Sequence, residues 1–286
     1  MKYTHYLITR FNIVQEWFFH STAENRRTAI LTSEWLQQRF MLFEEYCLPS
    51  VMQQRNADFK WLVLFNSETP DEYKEKIEAY ERLFPAFTPL YLQPYADEAT
   101  FVRSYIRLHT TTPYIITTRM DNDDMLHQDY LSTIQQAFSE QQDVFINYKT
   151  GLQYDLIEQV MYRWDYDANH YFSRIESLTD DVKTVIGIAH DKIQYLNYYE
   201  LSAANTPPLW IEIVHSHNVA NHIDGRLHPV RVSTEPFGVI LPQPWTAYKK
   251  VLLQYYRYKL LRVWQRLTNP YHWIRRKVEK HILHKL

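Results

Sequence analysis

The first half of the chain alternates between short apolar segments and longer amphipathic segments, and this alternation constrains the fold more than any other feature. The short segments are rich in β-branched and aromatic residues, which is typical of strands, and the longer ones have helical spacing of apolar residues. The pattern predicts an α/β fold with a mixed, mostly parallel sheet flanked by helices. The predicted strands are 3–9, 59–66, 88–92, 114–118 and 143–148, and the predicted helices are 29–47, 70–84, 97–110 and 127–141.

The expected limits of the first helix and of the domain follow from Pro49 and from the pattern of residues 150–240. We expect the helix that begins near residue 29 to end before Pro49, because proline breaks a helix interior. Residues 150–240 carry short aromatic strands, with WIEIVHSHN as the most regular stretch, and we expect them to complete the same domain. The prediction is therefore one domain over 1–244 and a basic helical tail over 245–286.

Composition excludes several classes of protein. Only four glycines occur and no two are close in sequence, which excludes glycine-rich phosphate loops. The single cysteine, Cys47, excludes an intrachain disulfide and a multi-cysteine zinc site, and we expect it to be an inert buried thiol. No stretch approaches 18 uncharged apolar residues, and the N-terminus has the pattern of a strand without a cleavage site. These features predict a cytoplasmic protein without a membrane span.

The segment from Arg119 to Asp124 reads RMDNDD and follows a predicted buried strand. Ligands of open α/β sheets bind beyond the carboxyl ends of the strands. Three carboxylates there repel one another unless a cation or hydrogen-bond donors compensate them. Carboxylate oxygens suit magnesium or manganese, which bind phosphate oxygens as further ligands. The alternative is a polar turn whose acids cap the following helix.

Several segments in the same order resemble a family of bacterial GT-A-fold glycosyltransferases named for rhamnosyl transfer. The resemblance implies a GT-A-like, Rossmann-like fold, a nucleoside-diphosphate sugar as donor, and divalent manganese or magnesium. It also implies transfer to a bacterial surface polysaccharide, such as capsule or lipopolysaccharide, or to a lipid-linked acceptor, with rhamnose suggested by the name. The matching segments are HYLITRFN at 5–12, WLQQRFMLFEEYCLPSVMQQ at 35–54, FKWLVLFNSETP at 59–70, YIITTRMDNDD at 114–124 and PLWIEIVHSHNVAN at 208–221.

The resemblance assigns roles to the acidic turn, which would be the family's DxD element. Asp121 would face the ribose or the metal, and Asp123 would be the main metal ligand. Asp124 would assist Asp123 or hold a sugar hydroxyl, which makes it a candidate catalytic residue.

The end of the first strand and the arginine before the acidic turn would bind the nucleotide. Thr9, Arg10 and Asn12 would frame it. Arg10 or Arg119 could contact phosphate, because a guanidinium matches phosphate in two hydrogen bonds. The alternative for Arg10 is a salt bridge to a neighbouring acid.

The segment WIEIVHSHN supplies the candidates for the acceptor side. His215, or His217 in its place, resembles the late histidine that completes the metal shell in GT-A enzymes. Glu212 is the first candidate for the base that deprotonates the acceptor hydroxyl, with Asp165 and Asp167 as alternatives. A solvated turn is the competing interpretation for the last two.

Three nearby aromatic residues have two possible roles. Trp164, Tyr166 and Trp210 could stack on sugar rings, or they could pack in the core, which is the commoner fate of such residues.

The C-terminal segment is strongly basic. Residues 249–286 contain eleven Lys or Arg and one acid, whereas the rest of the chain is acidic. Residues 247–267 have an apolar helical face, Asn269-Pro270 breaks the helix, and 271–282 predict a second helix. Cationic amphipathic helices with Trp and Tyr are typical of anionic membrane surfaces. The alternative is that these helices pack on the acidic rest of the chain, the first of them at least in part. Nucleic acid is not expected as a partner, because the sequence contains no nucleic-acid recognition motif.

These observations predict a metal-dependent glycosyltransferase at the inner face of the cytoplasmic membrane. Two other classes stay open. A nucleotide-sugar phosphohydrolase would use the same carboxylates and transfer to water, and a non-catalytic scaffold of glycan assembly would keep the fold and the tail without metal binding.

Overall fold

The computed structural model of the chain describes residues 2–13, 28–167, 169–188, 190–195, 198–200, 207–216, 222–224 and 227–268. The chain divides into two compact units. The first unit comprises Met1–Gln153, Trp164–Ile213 and Ser233–Leu241, and the second comprises Tyr154–Arg163, Val214–Val232 and Pro242–Leu286.

The strands form two sheets, of seven and five strands in the part of the chain that the structure describes. The predicted mixed α/β architecture is therefore confirmed. The strands are β1 (Tyr3–Arg10), β2 (Lys60–Asn66), β3 (Phe87–Leu92), β4 (Tyr114–Asp121), β5 (Met125–Leu126), β6 (Val144–Asn147), β7 (Thr150–Asp155), β8 (Val160–Asp165), β9 (Phe172–Ser177), β10 (Tyr198–Glu200), β11 (Trp210–Val214) and β12 (His228–Val230).

The seven-stranded sheet belongs to the first unit and has the strand order β10-β6-β9-β4-β1-β2-β3. Strand β1 pairs in parallel with β2 and β4, and β2 pairs in parallel with β3. Strand β9 is inserted antiparallel between β4 and β6. The sheet is thus mostly parallel, as the alternation of strands and helices predicts, and the carboxyl ends of β1, β2, β3 and β4 lie at one edge.

The helices follow the predicted order with one difference in the first. The sequence predicts that this helix ends before Pro49, but the helical path continues to Met52 through a π-helical turn. That prediction was wrong because Pro49 falls in the first turn of the next helix, where its missing N–H costs no hydrogen bond. The helical segments are α1 (Ser33–Leu42), the π-helical turn Phe43–Cys47, α2 (Leu48–Met52), α3 (Asp71–Leu83), α4 (Glu98–His109), α5 (Tyr130–Gln136) and α6 (Trp245–Thr268), with short 3-10 turns at His190–Tyr195 and Glu235–Phe237.

Both faces of the seven-stranded sheet are covered by apolar side chains. Leu7 and Ile116 belong to a buried cluster with residues of α1, the π-helical turn and α3. Ile8 and Ile115, which point to the opposite face, belong to a second cluster with residues of α4. Burial on both faces fixes the register of the strands, so the residues at their carboxyl ends are held in place.

The second unit contains the antiparallel pair of β8 with β12 and the long helix α6. Pro229 of β12 lies opposite Tyr162 of β8, and the His228 ring packs edge-on against Tyr255 of α6 with centroids 5.0 Å apart. Among the described residues, no helix combines the length and apolar character needed to cross a bilayer. The predicted second tail helix, 271–282, lies outside the described residues.

Candidate active site

The acidic turn begins on the sheet itself. Strand β4 runs three residues beyond the predicted end at Thr118 and finishes at Asp121. Asp121 lies directly opposite Arg10, the last residue of β1. The carboxyl ends of two central parallel strands therefore place an aspartate and an arginine side by side, at the edge where α/β sheets bind ligands.

Three different partners fix the residues that follow Asp121. The amide of Asn122 donates to the carbonyl oxygens of Arg10 and Phe11, at 2.9 Å each. Asp123 accepts a hydrogen bond from Arg39 Nη1 at 2.7 Å. Asp124 Oδ1 accepts from the backbone N–H of Ile213 in β11 at 2.9 Å. The turn is thus held by contacts to three elements and presents its carboxylates in set directions.

Asp121 and Asp124 converge on a histidine that sequence analysis missed. His170 Nε2 lies 3.1 Å from Asp124 Oδ2 and 3.7 Å from Asp121 Oδ2. The position of His170 follows from strand register. Because Ser173 of β9 pairs with Thr118 of β4, continuing the antiparallel register brings His170 level with Asp121. We call Asp121, Asp124 and His170 the acid–histidine cluster.

The charges in this cluster depend on one another. Burial alone lowers the pKa of His170, but the carboxylates of Asp121, Asp124 and Glu212 outweigh it and raise the pKa to about 9. Burial also opposes ionisation of Asp121, yet Arg119, His170 and Arg10 hold its pKa below the ordinary value. For Asp124, burial and the charge of Asp123 raise the pKa to about 6.

The donor set of the acid–histidine cluster fits a divalent cation. One ligand atom from each residue lies within 4.8 Å of the other two. The two carboxylates suit magnesium or manganese, and the His170 imidazole can add a nitrogen ligand once a cation has displaced its proton. The Asp121 side chain is 34% exposed, so the cluster is open to solvent on one side.

The two arginines at this edge have different surroundings. Arg10 Nε donates to both carboxylate oxygens of Glu98, at 2.7 and 2.9 Å, which is the salt bridge that the sequence left as the alternative. Arg119 Nη2 donates to Asp121 Oδ1 at 3.3 Å. Arg119 Nε is buried without a hydrogen-bond partner in the described structure. A buried donor of this kind favours binding of an anion beside it.

Thr9 and Asn12, the other predicted nucleotide contacts, are buried in polar networks. Thr9 Oγ1 accepts from the indole N–H of Trp61 at 3.0 Å. Asn12 Oδ1 accepts from the backbone N–H of Asn66, and its amide donates to Thr69 Oγ1, both at 3.0 Å. These bonds fasten the ends of β1 and β2 to each other. Contact with a nucleotide stays a prediction for both residues.

The predicted base Glu212 is almost fully buried on β11 and accepts a hydrogen bond from Gln153 Nε2. Burial, with the charge of Asp124, raises its pKa to about 7 against the opposing charge of His170. His215 is buried just after β11 in the second unit, and His217 lies outside the described residues. The assignment of Asp123 and His215 as metal ligands stays a prediction.

The predicted sugar-stacking residues divide into two groups. Trp210 is fully buried, donates its indole N–H to the Tyr148 carbonyl at 2.7 Å and stacks on Tyr171. It is therefore part of the core. Trp164 and Tyr166 are only partly buried and stack on each other with centroids 4.8 Å apart. Trp164 also packs edge-on against Trp210 with centroids 5.7 Å apart, and contact of either ring with a sugar stays a prediction.

The alternative bases are exposed and have protein partners. Asp165 Oδ1 accepts from Thr150 Oγ1 at 2.7 Å, and Asp167 forms an ion pair with Lys149. These contacts agree with the solvated turn that the sequence left as the competing interpretation.

Comparison with known proteins adds a family relationship. A profile of the family described as "Putative rhamnosyl transferase" matches residues 4–227. No curated protein matches the chain.

The solved structures that match the chain share little sequence with it. S. aureus TarS is 13% identical with a TM-score of 0.36, and the match covers 75% of this chain and 37% of TarS. Residues 1–349 of TarS are 12% identical to the chain with a TM-score of 0.39, and the match covers 88% of this chain and 70% of that structure. The inositol-1-phosphate CTP transferase from T. maritima is 11% identical with a TM-score of 0.33, covering 76% of this chain and 92% of that protein. The chain thus spans 37% of the length of the first of these structures.

Proposed function

This chain belongs to the family described as "Putative rhamnosyl transferase", and we propose that it is a metal-dependent glycosyltransferase using a nucleoside-diphosphate sugar. The donor sugar suggested by the family description is rhamnose. The acceptor is a hydroxyl of a bacterial surface polysaccharide or of a lipid-linked glycan. The observation that carries this proposal is the acid–histidine cluster at the carboxyl end of β4.

We assign the metal site to Asp121, Asp124 and His170. These residues would hold a divalent cation, whose charge would offset the negative charge that develops on a leaving diphosphate. Asp124 replaces Asp123 in this ligand set because the Asp123 carboxylate is occupied by Arg39 at 2.7 Å. Asp123 then acts by holding the turn, and His215 stays a candidate for a further ligand.

The arginines complete the anionic side of the site. Arg119 is our candidate for a contact to the diphosphate, because its buried Nε has no partner in the described structure and its Nη2 already touches Asp121. Arg10, paired with Glu98, orients the end of β1. In this proposal, Arg10 frames the nucleotide together with Thr9 and Asn12.

Glu212 is our candidate for the base that takes the proton of the acceptor hydroxyl. A pKa of about 7 leaves a large fraction of this carboxylate ionised at neutral pH and still basic enough to accept a proton. The alternatives Asp165 and Asp167 are exposed, and their carboxylates are already bonded to Thr150 and Lys149. Trp164 and Tyr166 are our candidates for stacking on a sugar ring.

We propose further that residues 245–286 bind an anionic membrane surface, as a peripheral contact at the inner face of the cytoplasmic membrane. The described part of this segment, α6, contains no acidic residue and six Lys or Arg. Its predicted apolar face is largely solvent-exposed instead of packed, as Leu253 at 72% and Leu260 at 70% illustrate. Each basic side chain near an anionic surface adds about 1 kcal/mol.

A transfer assay tests the function. The protein is incubated with Mn²⁺, a panel of nucleoside-diphosphate sugars that includes rhamnose, and lipid-linked or oligosaccharide acceptors. We expect one donor to be consumed only when an acceptor and Mn²⁺ are present. Asp124→Asn should lower the rate by ~100-fold or more, because metal contributions amount to several kcal/mol. The matched control Asp180→Asn removes one member of an exposed ion pair with Arg107 and should leave the rate unchanged.

Two results of this assay would contradict the proposal. Consumption of the donor at the same rate with and without acceptor would identify a phosphohydrolase that transfers to water. A folded protein that binds no nucleotide would identify a non-catalytic scaffold.

A further inference from the structure

The second unit contains a cavity of about 460 Å³ that none of the roles assigned above uses. Tyr162 of β8 lines one side, and Val251, Tyr255 and Tyr258 of α6 line another. The volume falls within the range of pockets that bury small-molecule ligands.

Helix α6 has two apolar faces with different surroundings. The cavity-lining residues Val251, Tyr255 and Tyr258 are spaced by four and three positions, so they share one face of the helix. At 3.6 residues per turn, the exposed residues Tyr256 and Leu260 lie on the opposite face. One helix therefore lines a solvent-open pocket on one side and presents an apolar stripe to its surroundings on the other.

The lining of the cavity has the chemistry that saccharides require. Three tyrosines line it, and Tyr258, whose side chain is 37% exposed, offers an apolar ring with a hydroxyl at its edge, which suits ligands that are apolar on their faces and polar around their rims. Gln254, which is exposed on the helix, adds an amide that can bond to sugar hydroxyls. A hydrocarbon chain in the same place would cover these polar groups without replacing their bonds to water, which is unfavourable.

We propose that this cavity binds a saccharide unit of the acceptor glycan. The proposal rests on the proposed glycosyltransferase function and names a subsite for its acceptor. The opposite face of α6 would lie on the membrane that carries a lipid-linked acceptor. One face of α6, with Tyr255 and Tyr258, then contacts the saccharide, and the opposite face contacts the membrane.

Saturation-transfer NMR on the full chain tests the cavity directly. The probes are methyl α-L-rhamnopyranoside, methyl α-D-glucopyranoside and methyl N-acetyl-β-D-glucosaminide, with farnesyl phosphate as a probe for a lipid chain. We expect saturation transfer to at least one glycoside. Tyr258→Ala should weaken that binding by about tenfold, since it removes one aromatic wall.

The control is Leu260→Ala, which truncates a side chain that is 70% exposed on the opposite face of α6 and should leave glycoside binding unchanged. If Tyr258→Ala does not fold, as judged by its thermal unfolding, Gln254→Ala replaces it, because Gln254 is exposed on the helix. Equal binding by the wild type and both cavity variants would overturn the proposal. So would the absence of transfer to every glycoside, or transfer to farnesyl phosphate alone.

A separate measurement distinguishes failure of the cavity from failure of the proposed function. Thermal stabilisation by nucleoside diphosphates with Mn²⁺ reports the donor site and should be the same in Tyr258→Ala as in the wild type. Thermal stabilisation by a nucleoside diphosphate without binding of any glycoside would overturn only the proposal that the cavity binds a saccharide. Glycoside binding without any nucleotide effect would overturn the transferase function and with it the acceptor role of the cavity.

Discussion

Arg39 Nη1 lies 2.7 Å from Asp123 Oδ2 and 3.0 Å from Asn122 Oδ1, so one arginine of α1 holds two residues of the acidic turn. The Arg39 guanidinium also lies over the Trp35 ring, 5.2 Å from its centroid. Both members of the Arg39–Asp123 pair are largely buried. The carboxylate that the sequence makes the main metal ligand is thus neutralised by the protein itself, which leaves Asp121 and Asp124 with His170.

This arrangement predicts different effects for two neighbouring substitutions. Asp124→Asn removes a ligand of the acid–histidine cluster and should weaken Mn²⁺ binding by ~10–100-fold, by analogy with losses near metal sites. Asp123→Asn should change Mn²⁺ affinity much less and lower the free energy of unfolding by about 1–3 kcal/mol, because Arg39 loses its partner. Titration calorimetry with Mn²⁺ and denaturant unfolding measure the two effects. Equal loss of Mn²⁺ affinity in both variants would restore Asp123 as a ligand.

The close packing of Gly151 against Trp210 predicts a strong effect of a single methyl group. A Cβ at position 151 would lie 2.1 Å from the Trp210 ring, well inside van der Waals contact. Gly151→Ala should therefore destabilise the protein by about 1–3 kcal/mol or more through overpacking. Denaturant unfolding measures the loss. In a double-mutant cycle with Trp210→Leu, the combined loss should be smaller than the two single losses together; simple additivity would argue against the clash.

His5 predicts a loss of stability in mild acid. Its buried ring contacts Thr118 Oγ1 through Nε2 at 2.7 Å and the Gln135 amide through Nδ1 at 3.1 Å. An amide N–H donates, so Nδ1 must accept, and the ring is neutral. Burial lowers the pKa of His5 from 6.5 to about 3.

The sign of the pH effect follows from this pKa. Below pH 6.5 the unfolded chain binds a proton at His5 that the folded protein does not, so stability falls as the pH drops from 6.5 towards 3. The contribution of His5 approaches about 1.4 kcal/mol per pH unit. Unfolding free energies measured between pH 4 and 7 should decline less steeply in His5→Gln than in the wild type. Parallel pH profiles would show that His5 does not cause the decline.

The exposed stripe of α6 predicts membrane binding that depends on single apolar residues. Leu260→Ser should weaken binding to vesicles containing phosphatidylserine by about tenfold or more, because burial of one leucine contributes about 1.5–3 kcal/mol. The control is Leu108→Ser on α4, at a leucine that is 81% exposed against 70% for Leu260. Cosedimentation with vesicles measures both. Equal binding of the two variants, or no binding by the wild type, would contradict a membrane contact through this stripe.

The sequence predicts the sheet well because its signals are local. Runs such as YIITT in β4 and KWLVLF in β2 carry β-branched and aromatic residues, and their order predicts parallel pairing. The approximate position of the acidic turn follows in the same way. The end of β4 was placed too early, because nothing in TRMD distinguishes a strand end from a turn.

The partners inside the site could not be predicted from local signals. His170 reaches Asp121 because β9 runs antiparallel beside β4, and this reversed strand is not marked by any spacing in the sequence. Arg39 reaches Asp123 from a helix 84 positions earlier in the chain. Both contacts depend on the tertiary packing that brings the elements together.

If Asp121, Asp124 and His170 hold a divalent cation, binding of the donor diphosphate should depend on that cation. Titration calorimetry of nucleoside diphosphates into the wild type and Asp124→Asn, with and without Mn²⁺, measures this dependence. We expect at least one nucleoside diphosphate to bind the wild type only when Mn²⁺ is present, and no such binding to Asp124→Asn. Binding that is independent of Mn²⁺, or Mn²⁺-dependent binding that is unchanged in Asp124→Asn, would contradict it.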